Sequence, residues 1–396
     1  MKPACFFIYL ALLSPAALHA GEAKPNTLSP KEIADGWILL FDGETTFGLL
    51  GDGWKVEAGE LVSPGKDATL RPTCRFQDFR LHFEYRLEAD KTGSLSFGSP
   101  SDEGKSDSMR PLRFYRHGEG WHSFIGNTSG SQFGGSIECP DKKILFPTAA
   151  KRGDPMQPHA LVFQGESLRL RNVKLQPLKS DRKRPDPIFN GKDLTGWKEF
   201  PGKKSKFAVV DGAINVKDGP GDLQTAGKYR DFILQLECKS NGKHLNSGIF
   251  FRCRDNEYQN GYEAQIRNQF TPKPTQKYLI EDYDPRTNKL LGKREVFYAA
   301  VDYGTGAIYR RQPARKEMSR DGEWFGMTIV ARGAHFATWV NGIQVTDWTD
   351  NRPRSDNART GRKLEAGHIS IQGHDPTTDL SFRNLRIAEF PTEPHK

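Results

Sequence analysis

Residues 335–348 read His-Phe-Ala-Thr-Trp-Val-Asn-Gly-Ile-Gln-Val-Thr-Asp-Trp. Two runs of strand-forming residues flank Asn341-Gly342, and this pair is a preferred two-residue connection of a β-hairpin. Similar short runs, rich in aromatic residues and separated by Gly, Asn and Asp, fill most of the chain. Only Ser29-Pro-Lys-Glu-Ile-Ala predicts a short turn of helix. The pattern therefore predicts an all-β protein built as an antiparallel sandwich.

One strand-turn pattern occurs twice along the 396 residues. Each copy has an opening turn with Phe-Asp-Gly or Phe-Asn-Gly, a strand that begins with Asp-Phe, and a closing strand that contains Arg-Asn. These three segments begin at Leu40, Asp78 and Leu170 in the first copy and at Ile188, Asp231 and Phe382 in the second. A repeat of this length indicates two tandem domains rather than a solenoid of short units.

The sequence also suggests bounds for these domains. We expect one domain at 28–178 and the other at 186–391, joined by a charged, Pro-rich linker at 179–187. Residues 1–20 carry Lys2, an apolar run and a small residue at Ala20, which is typical of a secretory signal peptide. The apolar run is too short for a membrane span. We therefore expect an exported protein, periplasmic or extracellular, without a membrane span.

Charge and cysteine content narrow the function classes. The formal net charge is +9, from scattered Lys and Arg, and export argues against a nucleic-acid partner. A solvated basic surface is the simpler interpretation, and a secreted interaction protein that uses this surface is an alternative. Beyond the signal peptide lie Cys74, Cys139, Cys238 and Cys253. Disulfides within each domain and buried thiols both remain open.

Three stretches of the second copy combine polar and apolar residues in predicted strands: Asn246-Ser-Gly-Ile-Phe-Phe-Arg, Gly261-Tyr-Glu-Ala-Gln-Ile and Gly367-His-Ile-Ser-Ile-Gln-Gly-His. In extended backbone, Glu263 and Gln265 share a face, and Arg252 lies on the same face as Phe250. Such faces predict the floor of a cleft. The alternative is a solvated face with an Arg252–Glu263 ion pair, and His374 alone is more often a loop or capping residue.

Several motifs of the second copy, taken in order, resemble the 3-keto-disaccharide hydrolase domain family. They are Phe189-Asn-Gly-Lys-Asp-Leu-Thr-Gly-Trp, Asn246-Ser-Gly-Ile, Gly261-Tyr-Glu-Ala-Gln-Ile, Gly304-Thr-Gly-Ala-Ile-Tyr, Gly322-Glu-Trp, Val340-Asn-Gly and Phe382-Arg-Asn-Leu. The resemblance covers nearly all of 186–391. It implies a concanavalin A-like jelly roll, related in shape to lectins and glucanases. It also implies hydrolysis of glycosides whose sugar carries a ketone at carbon 3.

A ketone at carbon 3 acidifies the hydrogen on carbon 2, so one base can start an elimination that expels the group on carbon 1. We assign Glu263 and His374 as the base and acid, or as ligands of a divalent metal that polarises the ketone. Arg252, Gln265, Asn246 and Tyr309 are the predicted substrate-binding residues. The competing hypothesis is a glycan-binding, lectin-like module without catalysis, in which exposed aromatic residues such as Trp339, Trp348 and Tyr309 stack on sugar rings. Neither hypothesis fixes the oligomeric state.

The first copy matches these motifs only at its ends. Between its Asp-Phe strand and its Arg-Asn strand it is about sixty residues shorter, and it has no Gly-Tyr-Glu-x-Gln strand. We therefore interpret it as a diverged accessory sandwich that packs on the second through a modest interface. Its segment Gly120-Trp121-His122 is a candidate wall for the cleft of the second domain.

Overall fold

The computed structural model describes residues 24–98, 111–129, 132–139, 142–151, 160–179 and 183–390. The predicted signal peptide, 1–20, lies outside these residues. Within them, no helix is both long enough and apolar enough to cross a membrane. The single α-helix, α1 (Pro30–Ala34), is capped by Ser29, whose side chain accepts from Glu32 N while the Glu32 carboxylate accepts from Ser29 N.

Within the described residues, thirteen strands form the first sandwich. They are β1 (Ile38–Leu39), β2 (Leu49–Leu50), β3 (Lys55–Glu57), β4 (Glu60–Val62), β5 (Thr69–Pro72), β6 (Asp78–Arg86), β7 (Thr92–Gly98), β8 (Leu112–Tyr115), β9 (His122–Ser129), β10 (Gln132–Glu138), β11 (Lys143–Lys151), β12 (Ala160–Gly165) and β13 (Arg169–Leu178). One sheet runs in the order β11-β10-β9-β6-β13-β4-β3, with β1 paired to β13, and the other runs β2-β5-β12-β7-β8.

The second sandwich contains the remaining strands. They are β14 (Asp186–Pro187), β15 (Trp197–Glu199), β16 (Lys206–Val210), β17 (Ala213–Lys217), β18 (Gly221–Thr225), β19 (Phe232–Ser240), β20 (Ser247–Cys253), β21 (Tyr262–Ile266), β22 (Gln276–Tyr283), β23 (Leu290–Tyr298), β24 (Phe325–Arg332), β25 (His335–Val340), β26 (Ile343–Thr349), β27 (His368–Gly373) and β28 (Asp379–Glu389).

Eight of these strands form a large sheet in the order β16-β17-β28-β19-β24-β25-β26, with β14 paired to β28. Five form the facing sheet, β15-β18-β27-β20-β21. The order matches that of the first sandwich strand for strand, and every pairing is antiparallel. The fold is therefore all-β, with two tandem jelly-roll sandwiches, as predicted. The hairpin β22–β23 and a short 3₁₀ turn, Val301–Tyr303, fill the longer middle of the second copy.

The hairpin at 335–348 forms as the sequence predicted. Strands β25 and β26 pair in antiparallel register around Asn341 and Gly342, which both have positive φ. Positive φ at both central residues is what this turn requires, and Asn and Gly tolerate it best. A bulge between Thr338 and Trp339 shifts the register within the pair.

The two sandwiches are joined by buried apolar contacts, because residues of the second sandwich extend the core of the first, while the rest of the second sandwich has its own core. Ile233, Val330, Ala337 and Trp339, on the outer face of the large sheet of the second sandwich, pack into the core of the first. Trp339 is buried, and its Nε1 donates to the carbonyl of Leu39 at 3.0 Å. Trp339 is therefore a core residue rather than an exposed platform for a sugar.

Polar contacts strengthen this interface. The carboxylate of Asp42, which is almost fully buried, accepts from Arg315 at 2.7 Å and from Lys316 at 2.9 Å. These cations hold the pKa of Asp42 far below its usual value, against the effect of burial. Both described ends of the predicted linker have regular backbone pairing. Lys179 forms an isolated β-bridge with Lys183, and β14 pairs with β28 of the second sandwich.

Two further expectations concern the first sandwich and the cysteines. Trp121 lies between the guanidinium groups of Arg171 and Arg86, at 4.2 and 4.9 Å from the ring centroid, on its own eight-stranded sheet. The role of this segment as a wall of the cleft stays a prediction. Cys74, Cys139, Cys238 and Cys253 are all free thiols, and three of these four are buried. No disulfide forms among the described residues.

Candidate functional site

The five-stranded sheet of the second sandwich has one apolar and one polar face. Its inner face carries buried apolar residues such as Leu223, Ile249 and Ile371, which belong to the core. The outer face carries polar residues in the alternate positions. This is the alternation expected of a sheet with one face in the core. However, most of the outer polar residues are buried, which indicates that loops rise around them.

Strand register arranges these polar residues in two rows. In the first row Asp222 lies opposite Gln372, and Gly248 lies opposite Gln265. In the second row Gln224 lies opposite Ser370, and Phe250 lies opposite both Ser370 and Glu263. We call this surface the polar floor; its polar members are Asp222, Gln224, Glu263, Gln265, Ser370 and Gln372.

Many polar atoms of this region have no hydrogen-bond partner. Among the described residues, seven buried side-chain N or O atoms that lack one lie on the polar floor or beside it. These seven are Asp222 Oδ1, Gln224 Nε2, Asn246 Oδ1, Asn260 Oδ1, Gln265 Oε1, Ser370 Oγ and Gln372 Oε1. Each unpaired buried polar group costs about 1–3 kcal/mol. Such a concentration on one sheet face is what a site for a polar, hydroxyl-rich ligand would show.

Glu263 is the most perturbed group on the polar floor. It is 7% exposed, and burial raises its pKa to about 8. The charges of Arg359 and Arg310 oppose this shift, while Asp302 and Asp222 add to it. Gly248 makes room for the carboxylate, because a Cβ at that position would lie 2.6 Å from Glu263 Oε1. The buried carboxyl group is thus held over a glycine with a pKa near neutrality.

Asp302 joins three of the predicted residues. Gln265 Nε2 donates to its carbonyl at 3.0 Å and to its carboxylate at 3.2 Å, and Asn246 Nδ2 donates to the same carboxylate at 2.9 Å. Asn246 Nδ2 also lies 3.3 Å from His374 Nε2, and His374 Nδ1 lies 2.8 Å from Asp375 Oδ2. Gln265, Asn246 and His374 therefore converge, and Asp302 is a member of the site that the sequence did not reveal.

Asp222 is a second residue of the site that the sequence analysis did not identify. It is 1% exposed, its Oδ2 accepts from Gln259 N at 2.9 Å, and burial raises its pKa to about 6. The run Gly221-Asp-Leu-Gln-Thr alternates polar and apolar residues, which was the available signal. Because this alternation is equally typical of an ordinary solvated face, the strand did not stand out. The polar floor thus carries a second perturbed carboxyl group.

Arg252 does not reach the polar floor. A β-bulge between Phe250 and Cys253 gives Arg252 a positive φ and removes its side chain from the predicted face. The side chain is fully buried, where it donates to three backbone carbonyls and pairs with Asp231 at 3.0 Å. The substrate-binding role predicted for Arg252 is corrected to a structural one, and its predicted pairing with Glu263 does not form.

Tyr309 lies at the edge of the site. Its backbone N donates to the carbonyl of Glu263 at 2.9 Å, and its half-buried ring packs edge-on against Tyr303 at 5.2 Å. Trp348 instead stacks on Phe336, at 5.9 Å between centroids, within the core of the second sandwich. The exposed aromatic platform suggested for a lectin-like module is therefore not formed by Trp339 and Trp348.

The sequence also suggested Glu263 and His374 as ligands of a divalent metal. Among the residues that the structure describes, no group of three or more His, Cys, Asp or Glu side chains is placed to hold a metal ion. A metal-binding role for Glu263 and His374 therefore stays a prediction, beside their alternative roles as base and acid.

Comparisons with known proteins identify relatives of the second sandwich. Residues 184–388, just over half of the chain, match the 3-keto-alpha-glucoside-1,2-lyase-like domain. A 3-keto-disaccharide hydrolase from Bacteroides thetaiotaomicron is 26% identical over 233 residues, covering 50% of this chain and 76% of that protein.

Two solved structures are also similar to part of the chain. A candidate glycosyl hydrolase from Parabacteroides distasonis is 22% identical with a TM-score of 0.37, covering 51% of this chain and 92% of its own. The carbohydrate-binding module CBM66 from Bacillus subtilis is 13% identical with a TM-score of 0.31, and the match covers 49% of this chain and 96% of that module. The match of the family model includes every strand of the polar floor. The chain belongs to the family of the 3-keto-alpha-glucoside-1,2-lyase-like domain.

Proposed function

We propose that this protein is exported and cleaves 3-keto-glycosides by removing the proton on carbon 2 and eliminating the group on carbon 1. The observation that carries the proposal is a buried carboxyl group, Glu263, with a pKa of about 8, on a floor rich in unpaired polar atoms. A general base works best when its pKa lies near the operating pH. Membership of the family supports the choice of a 3-keto sugar.

Because the ketone acidifies the proton on carbon 2, the reaction needs only a few catalytic side chains. Glu263, once ionised, takes the proton from carbon 2, and the electron pair moves into an enolate. The enolate then re-forms the ketone and expels the oxygen substituent of carbon 1, leaving a carbon–carbon double bond between carbons 1 and 2. Water adds its hydroxyl to carbon 1 and a proton to carbon 2, so the net reaction is hydrolysis. This route needs one base and does not depend on two opposed carboxylates.

Other polar groups supply the remaining roles. Ser370 Oγ and Gln224 Nε2 are unpaired donors in the same row as Glu263, and they are suited to a developing enolate oxygen. His374, whose ring is oriented by Asp375, is suited to donate a proton to the leaving oxygen. Gln265 Oε1 and Asn246 Oδ1 offer acceptors to sugar hydroxyls, with Tyr309 beside them.

The direct experiment is incubation of the purified protein with 3-keto-trehalose and 3-keto-glucosides, followed by measurement of released sugar. We expect cleavage by the parent protein and a loss of at least about 100-fold in kcat/KM for Glu263→Gln. Glu295→Gln, in the exposed hairpin strand β23, is the matched control and should retain activity. Substrate carrying deuterium on carbon 2 should react more slowly if proton removal limits the rate.

The outcomes separate the hypotheses. Binding of 3-keto-glycosides without cleavage would favour the glycan-binding module. Cleavage that survives Glu263→Gln would remove Glu263 from the mechanism. Cleavage with neither a slower reaction of the deuterated substrate nor any loss of deuterium from carbon 2 would contradict the elimination route and favour direct displacement at carbon 1.

A further inference from the structure

Three cationic side chains stand at the rim of the polar floor, and each is held against an aromatic ring. The Nζ of Lys203 and the Cζ atoms of Arg310 and Arg359 lie 3.7, 5.4 and 5.5 Å from the ring centroids of Tyr258, Tyr309 and Phe250, respectively. All three cations belong to exposed residues. Cations placed over ring faces are partly fixed in direction without being neutralised.

Their positions relative to the floor follow from the backbone. Phe250 lies opposite Glu263 in the sheet register, so Arg359 covers the centre of the floor. The Nε of Arg359 donates to Gln259 O at 2.8 Å, and Gln259 N donates to Asp222, which places this cation near the Asp222 end as well. Lys203 lies over the ring of Tyr258, which is the residue before Gln259. Arg310 follows Tyr309, whose backbone N is bonded to Glu263 O.

These three cations differ from two cations that lie near them in the chain. Within the part of the chain that the structure describes, neither Lys203 nor Arg310 nor Arg359 forms an ion pair, whereas nearby Arg352 and Arg354 pair with Asp350 and Glu365. The site also holds the carboxyl groups of Asp222 and Asp302, but these accept from Gln259 N and from the Gln265 and Asn246 side chains, whereas the three cations are exposed at the rim. Three like charges around one cleft create a positive potential that attracts anions.

We infer that the site takes a glycoside that carries a negative charge, such as a carboxylate or a sulfate group on the sugar or the aglycone. The inference rests on the proposed function and names the class of its substrate. Guanidinium groups bind carboxylate and sulfate oxygens through directed, charge-assisted hydrogen bonds, and Lys203 adds a point charge at the same rim. Neutral sugars would use the polar floor but would leave the rim cations without a partner.

The test compares three matched substrates: a neutral 3-keto-glucoside, the corresponding 3-keto-glucuronide and the corresponding 3-keto-glucoside 6-sulfate. We expect kcat/KM to be about tenfold higher for one or both anionic substrates at low salt, as for a charge-assisted hydrogen bond. The two anionic arms distinguish carboxylate from sulfate. The ratio of kcat/KM between anionic and neutral substrates should fall in about 0.5 M NaCl, because the rim cations are exposed and salt screens exposed charges.

Variants locate the effect. Lys203→Gln, Arg310→Gln and Arg359→Gln should each reduce the preference for the anionic substrate. Lys239→Gln is the matched control, because Lys239 also lies over an aromatic ring, Trp324, at 5.5 Å, but on strand β19 of the other sheet. It should leave the preference unchanged.

A separate binding measurement keeps the two proposals apart. Calorimetry would compare methyl glucuronide and methyl glucoside 6-sulfate with methyl glucoside, none of which has the ketone. Equal kcat/KM for neutral and anionic 3-keto substrates would overturn the inference and leave the proposed function intact. If no 3-keto substrate is cleaved, the proposed function fails; tighter binding of an anionic methyl glycoside would then still support the inference, and equal or absent binding would overturn it.

Discussion

At the scale of single residues, the site depends on the relation between Glu263 and Gly248. The carboxylate of Glu263 occupies the space that a side chain at position 248 would take, since a Cβ there would lie 2.6 Å from Oε1. This explains why a glycine interrupts an otherwise buried strand, β20. A strand glycine often marks a close approach by a neighbouring group. Here the neighbouring group is the proposed base.

Gly248→Ala should therefore impair activity more than stability. The new methyl group meets the flexible end of Glu263, which can move aside, but the displaced carboxylate no longer lies where the substrate needs it. We expect a loss of about 100-fold in kcat/KM, as for a misplacement of about 1 Å, and a change in unfolding free energy below about 1 kcal/mol. Gly292→Ala, where nothing lies within 4 Å, is the control. Full activity of Gly248→Ala would contradict this account of Glu263.

The raised pKa of Glu263 also predicts a pH-dependent difference in stability. The folded protein keeps this proton up to a pH of about 8, whereas the unfolded chain releases it near 4.5. As the pH rises through this window, the parent loses stability that Glu263→Gln does not lose. The Tm of the variant relative to the parent should therefore increase from pH 4.5 to pH 8 and then level off. Parallel Tm curves for parent and variant would show that the carboxyl group titrates normally.

At the scale of the element, the bulge between Phe250 and Cys253 in strand β20 decides where the side chain of Arg252 points. The bulge sends Arg252 into the interior, where its guanidinium joins the backbone carbonyls of Arg230, Gly333 and Lys363 to the carboxylate of Asp231. These acceptors come from separate loops and strands. Asp231 also accepts from Gly333 N at 2.7 Å. The bulged residue thus ties together one end of the second sandwich.

Arg252→Gln should be strongly destabilising for this reason. It would remove the guanidinium partner of the Asp231 carboxylate and the donor of two or three buried carbonyls, and loss of one partner of a buried pair costs about 3–5 kcal/mol. Urea unfolding measures the difference. Arg383→Gln is a suitable control, because its pairing with Glu237 is partly exposed and should be worth at most about 1 kcal/mol. A small effect at Arg252, comparable to that of the control, would mean that water replaces the lost donors.

The same element shows how far the sequence can be interpreted. Alternation correctly placed Glu263 and Gln265 on one face of β21, because that strand is regular over its whole length. It placed Arg252 on the wrong side because a bulge changes the alternation and leaves no distinct trace in the residue pattern. Asp302 was not predicted because it reaches Gln265 from a distant 3₁₀ turn. Contacts of this kind depend on tertiary packing rather than on local periodicity.

At the scale of the whole molecule, the two sandwiches are joined by buried apolar contacts. Ile233 and Val330 lie opposite each other on neighbouring strands, and Val330 lies opposite Ala337. These residues face the first sandwich, while the alternate residues of the same strands face the core of the second. The sequence predicted two domains but not the apolar contact between them. Apolar residues such as Ile233, Val330 and Ala337, which face the other sandwich, have the same sequence pattern as residues that face the core of their own sandwich.

Trp339→Ala should therefore destabilise both sandwiches together. Truncating a buried Trp typically costs about 3–5 kcal/mol, and the change also removes the hydrogen bond to Leu39 O. We expect one unfolding transition at a lower temperature, followed in parallel by tryptophan fluorescence and calorimetry. Trp324→Ala, on the same side of the molecule but outside both apolar clusters, is the comparison and should cost less. Two separate transitions, with only one shifted, would show that the sandwiches unfold independently.

The apolar contacts between the sandwiches have a consequence for proteins built from the second sandwich alone. The first sandwich covers the back of the large sheet, whereas the polar floor lies on the outer face of the other sheet. A single-sandwich relative would have that back exposed to water, and an exposed apolar sheet face promotes association. Such a protein must carry polar residues where this chain has Ile233, Val330 and Trp339, or must bury the surface in a dimer. The residues at these three positions should therefore indicate whether a relative of this chain is a monomer.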